Sequence, residues 1–516
     1  MYRPRLIYYN DSRHYSFYRY DPPMSAQQIR QPVDELLGTH VDLLSYGLAS
    51  GQTFLHDTQV GLRWGEQMPS HNHGVMWWRA YENSCQAIEA GNDPLQIVVD
   101  RAHGKGLRIM CSLRMNDASS DSDGNYYMFG KLKRDQPEIM IGAEAAGDHS
   151  YAATCANFEL EQVQQERLDV IEEVCGRYGA DGLEMDPYVN VFFAPAKARE
   201  LAPVMTSFVR RVRTLLDRIG QQRGEKLVLA TRAHAVEEVN LEAGLDVRQW
   251  LKDGLLDLVI PVLPGGVLDA DMPIQWLVDS ARATGVGVYP SLAGVPNDDR
   301  FHLAPMEMLR ALATRLHKLG ADGLYLHDLQ WPHGEREYQI LRELSDPEIY
   351  ERKTKLYAAS QQNDGADSRL PRRALPATLI EGHPLVVPLQ VDDRLTSARA
   401  DGALVSGHLG IRIIQTCPRD ELRFSFNGVP TTPTKVEHFY GGLVPYAAVR
   451  AGFQERINTH YWFYFDLSPD QLIEGDNRVE VEMTSHFTDL EDDRVVYQAE
   501  LELRYDEPAV PRVGQM

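Results

Sequence analysis

The sequence has few of the features that mark several large classes of protein. Its 5 cysteines among 516 residues are scattered, with no Cys-x-x-Cys pair, a pattern typical of reduced thiols rather than of a disulfide framework. There is no run of 18 apolar residues, so no transmembrane helix is predicted. Residues 5–9 already resemble a strand, and no signal-type n-region and h-region appear. We therefore expect a cytoplasmic protein, or a periplasmic or secreted one if a signal has been removed.

Positive charge is also scarce. The chain has 52 Lys and Arg against 74 Asp and Glu, a net charge of -22, which disfavours nucleic acid or an anionic membrane as a partner. A Gly-rich phosphate loop, a serine nucleophile elbow and a zincin signature are missing, and no Gly-x-Gly-x-x-Gly follows the first predicted strand. We therefore expect no cofactor.

Apolar residues make up 43% of the chain, enough for sizeable cores, and the length predicts two or three domains. Eight short, mostly apolar segments alternate with amphipathic helical segments. The predicted strands are Arg5–Asn10, Val41–Leu48, Leu107–Leu113, Gly182–Met185, Leu227–Thr231, Leu256–Val262, Gly287–Pro290 and Gly323–Leu326.

Eight units of strand and helix predict a (β/α)8 TIM barrel, and a doubly wound sheet is the alternative. Long insertions follow the second and third strands, at Ala49–Asn92 and Asn116–Asn157. In a barrel both insertions lie at the C-terminal face, where active sites are built.

The pattern changes after residue 348. Residues 349–378 are polar and read as a linker. Residues 379–516 show alternation with a period of two, which predicts an all-β sandwich or jelly roll after the barrel of residues 1–348. The strands expected there are Leu385–Val391, Leu409–Ile414, Glu421–Phe426, Trp462–Leu467, Asn477–Met483 and Val496–Arg504. Asn427-Gly428 is a turn signal between two of them.

The stretch 178–188 contains two closely spaced acidic residues. Glu184 and Asp186 are two residues apart on a predicted strand, so they project from one face. Two carboxylates on one face are costly to desolvate without a role, although a structural ion pair is the alternative. The run Gly-Ala-Asp-Gly-Leu occurs here and again in 319–328, which aligns Tyr325 with Glu184 and His327 with Asp186.

Polar residues end six of the eight predicted strands, which predicts a polar bowl over an apolar barrel. The alternative for each residue is a loop cap or an outer hydrogen bond. The candidates are Asn10, Asp11, Arg114, Asn116, Asp117, Glu184, Asp186, Arg232, His234, Tyr289, His327 and Asp328, with His14 near the first of them.

Aromatic residues in the insertions point to sugars, because flat rings stack on the C–H faces of pyranoses. Trp77 and Trp78 are the candidates for lining a sugar cleft. The alternative is that such rings only pack the loops. His71-Asn-His73 permits a metal interpretation, but a metal site needs a third and a fourth ligand.

Three runs carry a resemblance to a known family. Arg-Met-Asn-Asp at 114–117, Asp-Gly-Leu-Glu-Met-Asp at 181–186 and Gly-Ala-Asp-Gly-Leu-Tyr-Leu at 320–326 resemble the bacterial "family 10-like" glycoside hydrolases, over residues 1–348. The resemblance implies a TIM barrel that acts on carbohydrate. The second run is also similar to the chitinase signature, but Tyr188 stands where the catalytic Glu belongs, which argues against that mechanism. Residues 473–481 are similar to β-sandwich modules appended to glycosidases.

The sequence thus predicts a glycoside hydrolase whose partner is a carbohydrate. We expect Asp186 to stay ionised as nucleophile or base, and Glu184 to hold a proton or a sugar hydroxyl. The second catalytic carboxylate is expected elsewhere, at Asp328, Asp117 or Asp11. A non-catalytic carbohydrate-binding protein and a metal-dependent hydrolase using His71, His73 and His234 are the alternatives.

Overall fold

The computed structural model describes residues 2–68, 70–71, 73–118, 126–187, 191–263, 267–269, 271–292, 295–296, 300–301, 303–327, 329–359, 373–440 and 459–506. The chain forms two units. The first consists of Met1–Gly266, Pro273–Gly294 and Leu319–Ser345, and the second of Val267–Met272, Val295–Lys318 and Asp346–Met516. The domain limits expected at residues 348 and 378 stay predictions.

The strands of the first two-thirds of the chain are short and mostly buried. Numbered along the chain, they are β1 (Leu6–Asn10), β2 (Leu43–Gly47), β3 (Thr53–Phe54), β4 (Leu62–Arg63), β5 (Arg108–Arg114), β6 (Gly182–Asp186), β7 (Val228–His234), β8 (Leu258–Val262), β9 (Val267–Leu268), β10 (Gly287–Val288), β11 (Ser291–Leu292), β12 (Val295–Pro296) and β13 (Leu324–Leu326).

Nine of these strands build one parallel sheet in the first unit, in the order β10-β8-β7-β6-β5-β2-β1-β13-β11. All eight predicted segments contain a strand, so that prediction is confirmed, although β10 covers only the first half of the seventh and β11 begins just after its predicted end. The fourth is one residue longer than predicted and ends on Asp186. Helices follow the strands because parallel neighbours need a crossover connection.

The two edges of this sheet are neighbours in the chain, separated only by Tyr289 and Pro290. The amide of Tyr289 donates to the carbonyl of Val259 in β8 at 2.9 Å, and the carbonyl of Pro290 accepts from Tyr325 in β13 at 3.0 Å. One short stretch of chain therefore hydrogen-bonds to both ends of the strand order. Closure into a complete (β/α)8 barrel stays a prediction.

The described part of the chain contains fourteen α-helices. They are α1 (Ala26–Asp34), α2 (Val75–Glu89), α3 (Pro94–Gly104), α4 (Lys131–Asp135), α5 (Ala143–Ala146), α6 (Glu161–Glu172), α7 (Ala202–Arg223), α8 (Glu237–Glu242), α9 (Val247–Lys252), α10 (Gln275–Arg282), α11 (Met306–Lys318), α12 (Glu335–Glu343), α13 (Pro347–Tyr350) and α14 (Leu395–Ala400). Gly179, two residues after the helical turn that ends at Arg177, has a φ of 77°, a conformation that favours glycine. Among the described helices, none combines the length and apolarity needed to cross a bilayer.

An aspartate recurs at the amino end of every second strand of the parallel sheet. Each precedes a strand and accepts a hydrogen bond from a backbone N–H at or next to the amino end of another strand. The pairs are Asp42 with Arg5 at 2.8 Å, Asp181 with Ile109 at 2.9 Å, Asp257 with Leu229 at 3.0 Å and Asp322 with Val288 at 2.9 Å. The recurrence of Gly-Ala-Asp-Gly-Leu therefore reflects sheet construction, since buried N–H groups require partners.

The interior face of the sheet is apolar near the amino ends of its strands. Alternate side chains form one buried cluster: Ile7, Tyr9, Leu43, Met110, Val228, Ala230, Leu258, Ile260, Tyr289 and Tyr325. Because successive side chains on a strand point to opposite faces, the next members of the same rows are the residues at the carboxyl ends.

The second unit contains two antiparallel sheets. Its later strands are β14 (Lys355–Ala358), β15 (Ala377–Thr378), β16 (Leu385–Val391), β17 (Leu404–Ile414), β18 (Glu421–Phe426), β19 (Val429–Thr431), β20 (Lys435–Tyr440), β21 (Thr459–Leu467), β22 (Gly475–Ser485) and β23 (Val495–Tyr505). The six expected strands are confirmed, and β14 lies inside the expected linker.

One sheet has the order β14-β23-β17-β21-β20 with β15 on β23, and the other the order β16-β22-β18-β19. Asn427 and Gly428 have φ values of 52° and 77° and join β18 to β19, as a two-residue hairpin turn requires. Buried residues of both sheets, among them Phe424 and Phe465, share one core.

Candidate functional site

The interior rows of the parallel sheet become polar towards the carboxyl ends of the strands. In the register of β5 and β6, Ser112 lies opposite Glu184 and Arg114 opposite Asp186. These pairs occupy successive layers on one face, as predicted from the spacing of Glu184 and Asp186. Glu184 belongs to the lower layer, and Asp186 to the upper layer at the strand ends.

The carboxylate of Glu184 is fully buried and surrounded by donors. Its Oε2 accepts from the Ser45 hydroxyl at 2.7 Å. Its Oε1 accepts from the Ser112 hydroxyl at 2.8 Å, from Nε of Arg232 at 2.8 Å and from the Tyr325 hydroxyl at 3.2 Å. A buried carboxylate with donors on both oxygens is well satisfied, so Glu184 acts as an anchor for Arg232.

Arg232 connects the two layers. Besides its bond to Glu184, one guanidinium nitrogen lies 3.4 Å from Oδ2 of Asp186, and Nη2 donates to the Tyr325 hydroxyl at 2.7 Å. The guanidinium also lies over the Tyr9 ring, 4.3 Å from its centroid. Two carboxylates and two rings thus fix this cation, a geometry in which arginine and lysine are not interchangeable.

Asp186 departs from the behaviour expected of it. The residue is only 3% exposed, whereas we expected its carboxyl to stay ionised. Burial raises its pKa, with added repulsion from Glu184 and Asp11, while Arg232 and Arg114 oppose the rise. Asp186 is buried because β6 extends through it, which keeps its side chain within the sheet. Asp186 therefore holds a proton more readily than an ordinary aspartate.

Asp11 is the second carboxylate of the upper layer. Its Oδ2 lies 2.8 Å from Nδ1 of His14 and 3.9 Å from Nη2 of Arg114, and its Oδ1 lies 3.5 Å from Nε of Arg13. Burial alone would raise the pKa of Asp11, but Arg13, His14 and Arg114 hold it well below its ordinary value. The upper layer thus contains one carboxyl with a raised pKa and one with a depressed pKa. In enzymes such a divergence separates acid from base.

We expected the side chain of Asn10 to join that of Asp11 in the polar bowl, but it points to the opposite face of the strand. Its amide turns to the other face of β1 and donates to Oε1 of Glu35 at 3.3 Å. Alternation along the strand requires this, because Tyr9 and Asp11 face the interior.

The other oxygen of Glu35 accepts from Nε1 of Trp331 at 2.6 Å. Burial raises the pKa of Glu35 to about 7, although both hydrogen bonds oppose the rise.

Asn116 and Asp117 tie the insertions together. The Asn116 amide donates to the carbonyls of Ala156 and Val191, both at 2.8 Å, and Oδ2 of Asp117 accepts from the amide of Gly51 at 2.9 Å. These partners are backbone groups, so both side chains stabilise the loops around the upper layer. Their contact with substrate stays a prediction.

His234 lies at the carboxyl ends of the strands, whereas the ring of Tyr289 points to their amino ends. Nδ1 of His234 accepts from the amide of Val236 at 2.9 Å, within the turn after β7. The ring of Tyr289 packs against Gly287 and Gly323, where an added Cβ would approach it to 2.6 Å and 2.7 Å. Both glycines stand at the amino ends of strands, so the expectation that Tyr289 contributes to the site was wrong. A residue near the end of a predicted strand can still point its ring back towards the start.

The end of β13 supplies His327, half-buried, with its ring centroid 6.3 Å from that of Tyr325. It occupies the position that the internal repeat aligned with Asp186. Asp328, a candidate for the second catalytic carboxylate, lies outside the described residues. Both assignments stay predictions.

An aromatic cluster of Tyr18, Trp64, Trp77, Tyr126 and Tyr127 borders the upper layer. The Trp77 ring lies 5.1 Å from Trp64, 5.6 Å from Tyr126 and 5.3 Å from Tyr127. Trp64 and Tyr127 are buried, whereas Trp77 and Tyr126 are half-buried. The cluster therefore has a packed base and an accessible rim.

The cluster is connected to the carboxylates by a cation. The Arg13 guanidinium lies 5.1 Å from the Trp64 ring centroid and 3.5 Å from Asp11. Trp78, also half-buried, is not among the five rings of the cluster.

His71 and His73 belong with the same rings. Nδ1 of His71 lies 2.5 Å from the Tyr127 hydroxyl, and the His73 ring lies 5.6 Å from Tyr126. Within the described ranges, no three His, Cys, Asp or Glu side chains are grouped so that they could hold a metal ion. The spacing His71-x-His73 thus reflects packing against aromatic rings in this part of the chain.

Several site residues were missed by the sequence argument. Ser45 and Ser112 share the face of Glu184, and the alternation within their own strands was the signal that could have found them. The internal repeat did align Tyr325 with Glu184. Glu35 had no such signal, because it ends a helix and meets Asn10 only through tertiary packing.

Comparisons with known proteins do not assign the chain to a family. No family model matches it, and no curated protein matches it. The resemblance to the "family 10-like" glycoside hydrolases therefore stays a prediction.

Several solved structures match this chain over much of its length, at low identity. A maltogenic α-amylase of Thermotoga neapolitana covers 96% of this chain and 98% of its own, with 10% identity and a TM-score of 0.39. The glycoside hydrolase domain of PgaB from Bordetella bronchiseptica covers 67% and 99%, with 14% identity and a TM-score of 0.39. A cycloisomaltooligosaccharide glucanotransferase from Paenibacillus sp. has 11% identity and a TM-score of 0.35. This chain spans 57% of that protein's length. Likeness of this degree carries no argument about activity.

Proposed function

We propose that this chain is a glycoside hydrolase that cleaves its substrate over the carboxyl ends of a closed (β/α)8 barrel, with a C-terminal β-sandwich as an accessory domain. Support for closure comes from the hydrogen bonds of Tyr289 and Pro290 to opposite ends of the strand order. In barrels of this kind, the residues that carry chemistry stand at the carboxyl ends of the strands.

The observation that carries the proposal is the upper layer of the sheet. Asp186 and Asp11 face the same polar interior, each beside an arginine, and have pKa values displaced in opposite directions. Hydrolysis of a glycosidic bond needs one group that gives a proton to the departing oxygen and another that remains an anion or a base. Asp186, with its raised pKa, suits the first role.

The negative partner is Asp11 rather than Asp117. Arg114 acts on the pKa of both Asp11 and Asp186, whereas Asp117 joins the insertion at Gly51 to the chain just after β5. Attack by water on the anomeric carbon releases a proton as the C–O bond breaks. Asp186 supplies a proton to the leaving oxygen, and the Asp11 side of the site receives the one from water.

The aromatic cluster is the proposed sugar platform. Trp77 and Tyr126 form an accessible rim above the buried Trp64 and Tyr127, and flat rings stack on the apolar faces of pyranoses. Arg13 lies between this cluster and Asp11, so a sugar on the rim would extend towards the carboxylates. We therefore propose a carbohydrate as the partner, and neither nucleic acid nor membrane.

The test is a screen of the wild-type protein against aryl glycosides and algal or plant polysaccharides. We expect release of the aglycone or of reducing ends from at least one of them. Asp186→Asn should bind the same glycan, measured by calorimetry, while it loses turnover. A wild-type protein without activity on any glycoside contradicts the proposal.

A non-catalytic carbohydrate-binding protein is the second candidate, and one observation favours it. Both oxygens of Glu184 and both oxygens of Asp11 already have partners within the chain. Binding of glycan by the wild-type protein with no product over long incubation would support this candidate.

A further inference from the structure

A single π-helical turn, Arg13–Phe17, follows β1 and holds His14 above Asp11. Nδ1 of His14 lies 2.8 Å from Oδ2 of Asp11. The two side chains differ sharply in accessibility, since His14 is 57% exposed and Asp11 only 11%. Isolated π turns are rare and recur at functional sites.

Asp11 itself is poorly placed to meet a substrate. Its Oδ1 accepts from the backbone amide of Arg13 at 3.2 Å and lies 3.5 Å from that residue's guanidinium. Its Oδ2 is taken by His14 and lies 3.9 Å from Arg114. Both oxygens are held below the surface, so the accessible end of this charged group is the imidazole.

Two side chains, Asp11 and Tyr18, contact the His14 ring, and Arg19 holds the backbone of the residue. Its ring meets the Tyr18 ring edge-on, with centroids 5.2 Å apart, and its carbonyl accepts from Nε of Arg19 at 3.1 Å. A carboxylate at Nδ1 selects the tautomer with the proton on that nitrogen. Nε2, on the opposite side of the ring, is then a lone pair directed away from Asp11. A carboxylate in this position also stabilises the imidazolium that forms when Nε2 takes a proton.

We propose that His14 is the general base of this site and that Asp11 is the residue that positions it. This inference rests on the proposed glycoside hydrolysis. Nε2 takes a proton from water as the water oxygen bonds to the anomeric carbon. The departing oxygen takes the proton of Asp186 as the C–O bond breaks. The proton on His14 then returns to solvent, and Asp186 is reprotonated from solvent.

The first test does not depend on turnover. In the full-length protein labelled with 15N-histidine, the ring-nitrogen shifts of His14 should report the tautomer protonated at Nδ1, and Asp11→Asn should weaken that preference. A His14 ring protonated at Nε2 in the wild-type protein at neutral pH overturns the assignment.

The second test uses turnover and a matched control. His103 also contacts a buried aspartate, Asp181, at 3.1 Å, but at the amino end of β6. His14→Asn should lower kcat about 10²-fold with little change in KM and remove one limb of the pH–rate profile. His103→Asn should leave both in place. Added imidazole should restore part of the activity of His14→Gly and none of that of Asp186→Asn.

The outcomes separate the two proposals. A wild-type protein that cleaves glycosides while His14→Asn keeps its kcat and its pH profile overturns only the role of His14. An equal loss in His14→Asn and His103→Asn, without rescue by imidazole, also overturns it, because the effect is then structural. A wild-type protein that cleaves no glycoside overturns the proposed function, whatever the tautomer of His14.

Discussion

The two ends of the parallel sheet both carry carboxylates, but these carboxylates have different partners. At the amino ends, Asp42, Asp181, Asp257 and Asp322 each accept a hydrogen bond from a backbone N–H at the start of another strand, and each also lies near an arginine. At the carboxyl ends, Asp186 lies beside the side chain of Arg232, and Asp11 beside those of His14 and Arg114.

The difference separates carboxylates that build the sheet from those that are available for chemistry. An N–H within a strand is fixed by the sheet, so a carboxylate bonded to it is part of the construction of the sheet, even where it also meets a cation, as Asp257 meets Arg213. Side-chain cations can rearrange around a ligand and can shift the pKa of a carboxyl. One strand, β6, shows both cases, with Asp181 immediately before it and Asp186 at its end.

The largest effect should come from Asp186. Asp186→Asn removes the proposed acid while it keeps the shape of the side chain, and kcat should fall about 10²–10⁴-fold. The matched control is Asp181→Asn at the other end of the same strand, which should keep kcat close to the wild-type value. Steady-state kinetics on one aryl glycoside compares them. Equal losses in the two variants would remove the distinction between the ends of the sheet.

Glu184→Gln should mainly reduce stability. The substitution leaves the buried Arg232 without its closest negative partner, and breaking a buried ion pair costs about 3–5 kcal/mol. Denaturant unfolding measures this loss. We also expect kcat to fall about 10²-fold, because Glu184 holds the Arg232 guanidinium that lies beside Asp186. A variant that is as stable as the wild type but inactive would instead give Glu184 a direct chemical role.

Glu35 should make stability depend on pH. Burial raises its pKa from 4.5 to about 7 in the folded protein, so the folded state holds this proton more tightly than the unfolded chain. The resulting stability is complete below pH 4.5 and is lost as pH rises through about 7, a change of about 3 kcal/mol. Unfolding free energies across this range should fall more steeply for the wild type than for Glu35→Gln. Parallel curves would contradict the prediction.

Asp181→Ala should weaken the fold without changing the chemistry. It removes the acceptor for the amide of Ile109, and an unpaired buried amide costs about 1–3 kcal/mol. The melting temperature should fall, while kcat of the folded fraction, corrected by active-site titration, should stay at the wild-type value. A stable but inactive Asp181→Ala would place chemistry at the wrong end of the sheet.

Trp77→Ala should have the smallest effect, confined to binding. Loss of a stacked sugar should weaken binding by about 1–3 kcal/mol, a scale taken from bases stacked on aromatic rings. Calorimetry with an oligosaccharide measures it. Trp78→Ala, one residue further along the same helix, is the control and should bind as the wild type does. The reverse result would mean that the cluster only packs the insertions.

Much of the parallel sheet could be predicted from the sequence. Short apolar segments between amphipathic ones are typical of buried parallel strands, and the eight predicted segments are strands in the structure. The period of two placed Glu184 and Asp186 on one face. The same rule, applied to Asn10, would have turned that side chain away from the site.

The rest depended on contacts between distant parts of the chain. Burial of Asp186 arises because β6 ends on that residue, and strand ends are the least certain part of a pattern. Glu35 meets Asn10 and Trp331 only in the folded molecule, so no local signal marked it. The divergence of the pKa values of Asp11 and Asp186 likewise depends on where Arg114 and Arg232 lie.

The most direct test of the account is the dependence of kcat/KM on the leaving group. A series of aryl glycosides whose phenols differ in pKa distinguishes protonated from unassisted departure. If Asp186 gives its proton to the leaving oxygen, the wild-type rate should vary little along the series. Asp186→Asn should slow progressively as the phenol becomes less acidic, because the oxygen then leaves as an anion. Parallel dependence in the wild type and the variant would contradict the central claim that Asp186 is the acid.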